Sequence, residues 1–360
     1  MIQKISSTQG VLLIISTIVP TAVLSIPNST VRFTDQDAWI SILMATVVSM
    51  LLIFLICGAN NYGRYATFFE WLEGSFGRYV RIVVGLLLTY YYFTVSCVIL
   101  REFTNFIREN FLLYTPVYVV LAVGLTVTLY AVRQGIEVIA RINTFIFALS
   151  AAIFVVYILL LTKQFHPSFL LPIGDHPFYR LAQGSAVPFS WLSEGAILLL
   201  LAPFLESPEK ARMVGLIGIG ASGLILTAFV IVTITVFGSR LIQMMVYPTF
   251  EVIGIIKVSS LLERLDILFI TFWIGSMYVK ISLFLFATFH SFVHTFRIRY
   301  DKPFLIILGL ICALTTLYAW PKAAQLMEFN NYASVPLLVF FNVLLPVGLW
   351  ISHKLSRPHS

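Results

Sequence analysis

Charged side chains are scarce in this sequence, 11% of 360 residues, where a soluble domain carries roughly 25%. A water-soluble fold of this length could not hide the accompanying 59% of hydrophobic residues. Cysteine is almost absent: Cys57, Cys97 and Cys312 fall within or at the ends of apolar runs, which leaves them as small buried hydrophobes and excludes a disulfide framework or a metal knuckle. The six histidines are scattered through loops and run ends. No nucleophile, base and orienting partner share a motif, so catalysis, a metal and a cofactor are not expected. The net charge of +7 forms no basic stripe interleaved with exposed aromatics, which argues against nucleic acid and for contact with anionic lipid. The alternating ten-residue pattern of an outer-membrane barrel is also missing.

What the chain does have is apolar runs near the roughly 20 residues that a membrane-crossing helix needs. Ten are predicted, at 10–30, 38–57, 80–100, 116–132, 142–162, 184–204, 213–238, 265–290, 303–320 and 334–352. The first, preceded by Lys4, has a signal-peptide flavour, but nine runs follow it and it is expected to stay attached. Loops on the side of the N-terminus, with Lys4, Arg78, Arg81, Arg297 and Lys354 among them, carry more Lys and Arg than the opposite loops, which places both termini in the cytoplasm. The expected class is an all-α, multi-pass membrane protein forming a single domain over 1–360. Asn28-Ser29-Thr30 is a glycosylation sequon, but it lies against the first span, where a glycan has no room.

Two spans resemble each other. Ser16-Thr17-Ile18-Val19-Pro20-Thr21-Ala22 and Gly184–Glu194, with Pro188, Ser190, Trp191 and Ser193, both set a proline among hydroxyls at mid-membrane. Proline removes a helix hydrogen bond and clashes with the turn before it. Either site read alone is an ordinary kink. Together, as the first and sixth of ten spans, they predict a 5+5 inverted-repeat transporter-like fold with interrupted first and sixth helices, its repeats at about 10–162 and 184–352.

Glu194 lies near the middle of the sixth span and Lys280 near the middle of the eighth. A charge facing lipid there costs about 2.5–3.5 kcal/mol on insertion scales, so both are expected to face protein or a water-filled cavity. One reading is a buried pair that only fixes helix packing. The other lines a solute or ion path, with Lys280 standing where a sodium-coupled protein would hold its cation between the first and eighth spans. In the third span, Thr89-Tyr90-Tyr91-Tyr92-Phe93-Thr94-Val95-Ser96 must turn at least one phenol inward, because successive helix residues point in different directions. A pocket of broken helices, a tyrosine and one acid suits a small zwitterion, with free N–H groups for its carboxylate and carbonyls for its ammonium. The candidate ligand-binding residues are Thr17, Pro20, Thr21 and Ala22 in the first span, Tyr91 and Val95 in the third, Ser190, Trp191 and Glu194 in the sixth, and Ser276 and Lys280 in the eighth.

Further matches carry a resemblance. Tyr247-Pro248-Thr249-Phe250-Glu251-Val252 through Leu262-Glu263-Arg264-Leu265-Asp266, followed by Trp273, is similar to the outer segment leading into the eighth span of the permease-like B subunits of spore nutrient germinant receptors, in the amino acid–polyamine–organocation transporter superfamily. Ser16–Pro27, Glu194, Ala202-Pro203-Phe204 and Glu209-Lys210-Ala211-Arg212 support it, and the resemblance covers essentially the whole chain. Aligned on Pro27, the chain has Pro20 and Ala22 where that family usually has glycine, and Leu192 or Ser193 replaces a glycine near the sixth-span acid. The resemblance implies sensing of a nutrient such as an amino acid or sugar in the inner spore membrane, beside an A-type membrane subunit and a C-type lipoprotein. The residues read without the resemblance support the alternative, a proton-coupled amino acid transporter with protonation of Glu194 as its coupling step, but with the resemblance the receptor is favoured. Segment 247–262 is expected to cover the pocket as a lid or to dock a partner.

Overall fold

The computed structural model describes residues 3–57, 65, 67–255, 266–298 and 302–355. These are almost wholly helical, and the one β-type contact among them is an isolated bridge between Ile5 and Leu205. Long helices follow from apolar runs that must satisfy their own backbone in lipid. In chain order they are α1 (Ser7–Thr34), α2 (Ala38–Ile56), α3 (Phe68–Phe76), α4 (Arg78–Asn110), α5 (Val117–Gln134), α6 (Ile136–Leu161), α7 (Phe178–Leu192), α8 (Leu198–Leu201), α9 (Ala211–Ile242), α10 (Pro248–Gly254), α11 (Asp266–Phe296), α12 (Lys302–Tyr318), α13 (Ala323–Tyr332), α14 (Ser334–Val339) and α15 (Leu345–Leu355).

Eight helical stretches among the described residues are long and apolar enough to cross a membrane. The first, Ser7–Ile56, contains both α1 and α2, separated by the turn Asp35–Asp37; α12 is a shorter apolar helix. Large hydrophobics such as Val47, Leu51, Tyr130, Val155, Leu224 and Ile306 stand exposed on the outside of the bundle, as a lipid-facing surface requires. The protein is an integral, multi-pass membrane protein. Its buried core is essentially one continuous cluster with α1 at the centre, packed by α6, α7, α9 and α11. Close approach of α9 to α2 depends on Gly223, where a Cβ would fall 2.0 Å from Thr46 Oγ1, in the manner of small residues at membrane helix interfaces.

The chain start is tied down at two places. Ser6 and Gln9 form a capping box on α1, with Gln9 N–H donating to Ser6 Oγ at 3.2 Å and Ser6 N–H to Gln9 Oε1 at 3.0 Å. Gln3 holds the α5–α6 corner: its amide donates to Gln134 O at 2.9 Å and accepts from Ile136 N–H at 2.8 Å. Gly135, at φ 94°, makes that corner possible, since a side chain there would meet Gln3 as well as strain. Ile5 pairs with Phe204 and Glu206, and Lys4 Nζ donates to Pro203 O at 2.9 Å, so the N-terminus clasps the end of the sixth span.

The two proline-bearing spans behave differently. The sixth is interrupted, but at Ser193–Ile197, a 3-10 segment between α7 and α8, rather than at Pro188, which stays inside α7. Ser190 Oγ donates to Val187 O and Ser193 Oγ to Ser190 O, local bonds that compete with α-helical pairing. In the first span α1 runs on through Pro20 and Pro27. No gap opens in α1: Pro27 cannot serve Val23 O, and Thr249 Oγ1 of α10 donates to that carbonyl at 2.7 Å instead. Trp273 Nε1 of α11 donates to Pro20 O at 2.8 Å, which ties α11 to α1 at the first proline. At the sequon, Asn28 Nδ2 donates to the carbonyls of Ile242, Gln243 and Met245, which occupies the amide that a glycan would need. Cys97 and Cys312 are buried thiols with their sulfurs 3.5 Å apart.

Candidate functional site

The break in the sixth span places Glu194 opposite the middle of α11. Lys280 Nζ lies 2.8 Å from Glu194 Oε2 and donates to Thr21 Oγ1 of α1 at 2.6 Å, and the Lys280 and Glu194 side chains are wholly buried. The ammonium also sits 5.0 Å above the Trp191 ring and 5.6 Å from that of Phe284, where aromatic faces attract a cation. Glu194 Oε1 is buried and makes no hydrogen bond among the described residues. Three spans thus meet at one ion pair with an open acceptor. Gly195 lets this segment approach α9, for a Cβ there would come within 2.8 Å of Ile219.

Periodicity explains how α1 serves two neighbourhoods. Thr17 and Thr21 share one stripe and Ser16, Pro20 and Val23 another. The second stripe lines a cavity of about 280 Å³ between α1, α6, α9, α10 and α11. Ser276 and Trp273 of α11 line the same cavity, one and two turns from Lys280 on the same helix.

Of the eleven candidate residues, the structure therefore brings Thr21, Trp191, Glu194 and Lys280 together. Pro20 and Ser276 face the cavity instead. Thr17 is buried and donates back to Leu13 O at 2.8 Å, Ser190 is buried and bonded within α7, and Ala22 and Val95 are buried in the core. Of the tyrosine run, Tyr91 and Tyr92 turn inward and Tyr90 outward. The Tyr91 hydroxyl accepts from Asn342 Nδ2 at 2.8 Å, and its ring stacks on Phe341. Asn342 was not among the candidates, although an amide inside Val339-Phe340-Phe341-Asn342-Val343-Leu344 is a visible polar residue in an apolar run; it lies in a π-helical turn, Phe340–Leu344, a feature common at functional sites. Phe284 and Thr249 were missed because apolar and hydroxyl residues are too common in such spans to stand out.

Of segment 247–262, Thr249, Val252 and Ile253 of α10 line the cavity, and residues 256–265, including Leu262-Glu263-Arg264-Leu265 of the family-like stretch, are outside the described residues. Burial pushes the Tyr247 phenol up to about 12. The rings of His290 and His294 lie tilted with centroids 4.2 Å apart, and that of His294 stacks on Phe69. No group of His, Cys, Asp or Glu among the described residues has the arrangement of a metal site.

Comparison with known proteins agrees with this architecture. The structure is similar to a nucleobase-cation-symport-1 family transporter in a closed conformation with bromovinylhydantoin bound (TM-score 0.68, 13% identity, 97% of this chain and 78% of that one). It is similar also to a Na+-coupled sialic acid symporter in a substrate-bound outward-open state (TM-score 0.66, 12% identity, 94% and 78%). At these identities the likeness is one of fold, and the fold is that of transporters. In sequence, the chain is 27% identical over 325 residues to spore germination protein KB of Bacillus subtilis, covering 88% of this chain and 86% of that protein. It is 21% identical over 363 residues to spore germination protein B2 of the same organism, covering 98% and 97%. A family profile described as "Spore germination protein" matches residues 4–325. This is a permease-like family and not one of enzymes, and the chain belongs to it.

Proposed function

We propose that the protein is the nutrient-sensing subunit of a spore germination receptor, binding a small solute such as an amino acid at mid-membrane. The observation that carries this reading is the buried contact of Lys280 with Glu194 and Thr21 at the break of the sixth span. A zwitterion can split such a pair, its carboxylate taking the ammonium of Lys280 and its ammonium taking Glu194, including the open Oε1. The pair then distinguishes two states of the bundle, closed on itself or opened onto solute. A ligand with different affinity for the two shifts their populations without any other energy source.

In this proposal Thr21, Trp191, Glu194 and Lys280 form the solute site, Thr17, Ala22, Tyr91, Val95 and Ser190 surround it, with Tyr91 fixed by Asn342, and Pro20 and Ser276 belong to the neighbouring cavity. The bundle makes ten crossings in two five-helix repeats, 10–162 and 184–352, with both termini cytoplasmic in the inner spore membrane. An A-type membrane subunit and a C-type lipoprotein receive the signal. A second reading, a proton-coupled amino acid transporter, is favoured by the open acceptor on Glu194, which is where a coupling proton would sit, and by the likeness to symporters.

The experiment is retention of a panel of labelled amino acids by proteoliposomes, before and after opening the vesicles with detergent. Label that survives opening is expected and means binding without transport. Label lost on opening makes the protein a transporter. No retention of any member overturns amino acid binding by this subunit alone.

A further inference from the structure

The cavity of about 280 Å³ beside α1 is separate from the Lys280–Glu194 pair, neither of whose side chains lines it. It is nearly twice the 150 Å³ or so of an engineered apolar cavity that stays dry and takes benzene. Most of its polar lining groups are spent on internal partners: Ser16 on Asn143, Ser150 on Ile146 O, Thr233 on Phe229 O, Thr249 on Val23 O and Trp273 on Pro20 O. Among the described residues its lining holds no charged side chain, so a zwitterion would find no charge partner there, and a buried charge needs one.

The shape and the mouth identify the occupant. The α6 wall runs from Phe147 to Leu161, about 20 Å of helix at 1.5 Å per residue, so the cavity is long and narrow. Along that stretch α6 turns little of its surface inward, and Val155, Val156 and Leu159 stand exposed. In a multi-pass membrane protein such a surface lies against lipid tails, and α6 is one of the cavity's own walls. We propose that the cavity is a seat for one acyl chain of a membrane lipid, entering along α6 and packing against Pro20 and Trp273. The chain would brace α1 on the stripe next to the one that meets the ion pair: Pro20 holds the bond from Trp273, and its neighbour Thr21 holds the bond from Lys280. Lipid occupancy and the state of the pair are then linked through two adjacent residues of one helix.

The test uses the full-length protein in vesicles of phosphatidylcholine whose acyl chains carry bromine near mid-chain, compared with unbrominated lipid. Bromine quenches tryptophan at contact range, and the difference between wild type and Trp273→Phe isolates the contribution of Trp273. That contribution is expected to be quenched in the wild type, and the quenching lost in Ala151→Phe and in Ser150→Leu. Both substitutions fill the cavity from the lipid-facing helix, where a change is best tolerated, and each is checked for a single symmetrical peak in gel filtration. A Trp273 contribution that bromine does not quench overturns the proposal, as does quenching that persists in a well-folded filled variant. Recovery of emission on adding a free amino acid would assign the cavity to the nutrient's side chain and overturn it too. None of these outcomes depends on whether the protein senses or transports a nutrient.

Discussion

Lys280 and Glu194 meet at 2.8 Å across two spans with no solvent on either side chain, and each is the other's charge partner. Removing one leaves a buried charge uncompensated, which costs about 3–5 kcal/mol, whereas replacing both by apolar residues of similar size is often neutral. Lys280→Met and Glu194→Leu are therefore each expected to lower the unfolding temperature in detergent strongly, and the double variant to recover most of the loss. Additive losses in a double-mutant cycle would mean that the two groups are not coupled.

Function should separate from stability at the same pair. Glu194→Gln keeps the shape and one acceptor oxygen for Lys280, so it should cost less stability than Glu194→Leu and leave the protein inserted, yet its retention of labelled amino acid should drop by about tenfold or more relative to wild type at equal folded amounts, the worth of a lost charge-assisted bond. Wild-type retention in this variant would remove Glu194 from solute recognition. Sodium-dependent retention by the wild type would count against Lys280 standing in for a cation.

The class of fold was legible because burial in lipid leaves helices little choice, and Glu194 and Lys280 stood out as charges inside apolar runs. Their meeting was not legible, since 86 residues separate them and no local pattern sets which faces touch. The prolines misled in a specific way: sequence shows the lost N–H donors but not the Thr249 hydroxyl that takes over at Val23 O, where Pro27 cannot donate. Ser276 and Pro20 sat at the right depth but on the stripe facing the cavity, a matter of helix rotation that depth alone does not fix. The cavity had no sequence signature, because its lining residues are those of any membrane helix.

The Tyr91–Asn342 bond is expected to hold the π-helical turn Phe340–Leu344 against α4. Asn342→Leu leaves the Tyr91 hydroxyl without its donor in the core and should cost about 1–3 kcal/mol. Adding Tyr91→Phe removes the stranded group and should recover part of that loss, read as unfolding temperature in detergent. No recovery would show that the two side chains act independently.

A fourth expectation concerns pH and lies outside the spans. Asp37, in the turn between α1 and α2, is buried, which by itself raises its carboxyl. The N–H groups of Gly174 and His176 and the His176 ring outweigh that and hold it below the usual carboxylate range. The contacts are Gly174 N–H to Oδ1 at 2.8 Å, His176 N–H to Oδ2 at 3.2 Å and His176 Nδ1 at 3.0 Å from Oδ2, with Asp35 Oδ2 3.3 Å from His176 Nε2. They tie the α6–α7 connection to the α1–α2 turn. Because the folded value is depressed, the stabilisation is fully present above the ordinary value of about 3.9 and is lost as pH falls through the lower folded one. Asp37→Asn removes the charge-assisted bonds and should cost about 1.5–3 kcal/mol at neutral pH. The gap in unfolding temperature between wild type and Asp37→Asn should therefore be constant from neutral pH down to the ordinary carboxylate range and narrow below it. A gap that instead widens as pH falls from neutral, before the carboxylate range is reached, would assign the clamp to a charge on His176 rather than to Asp37.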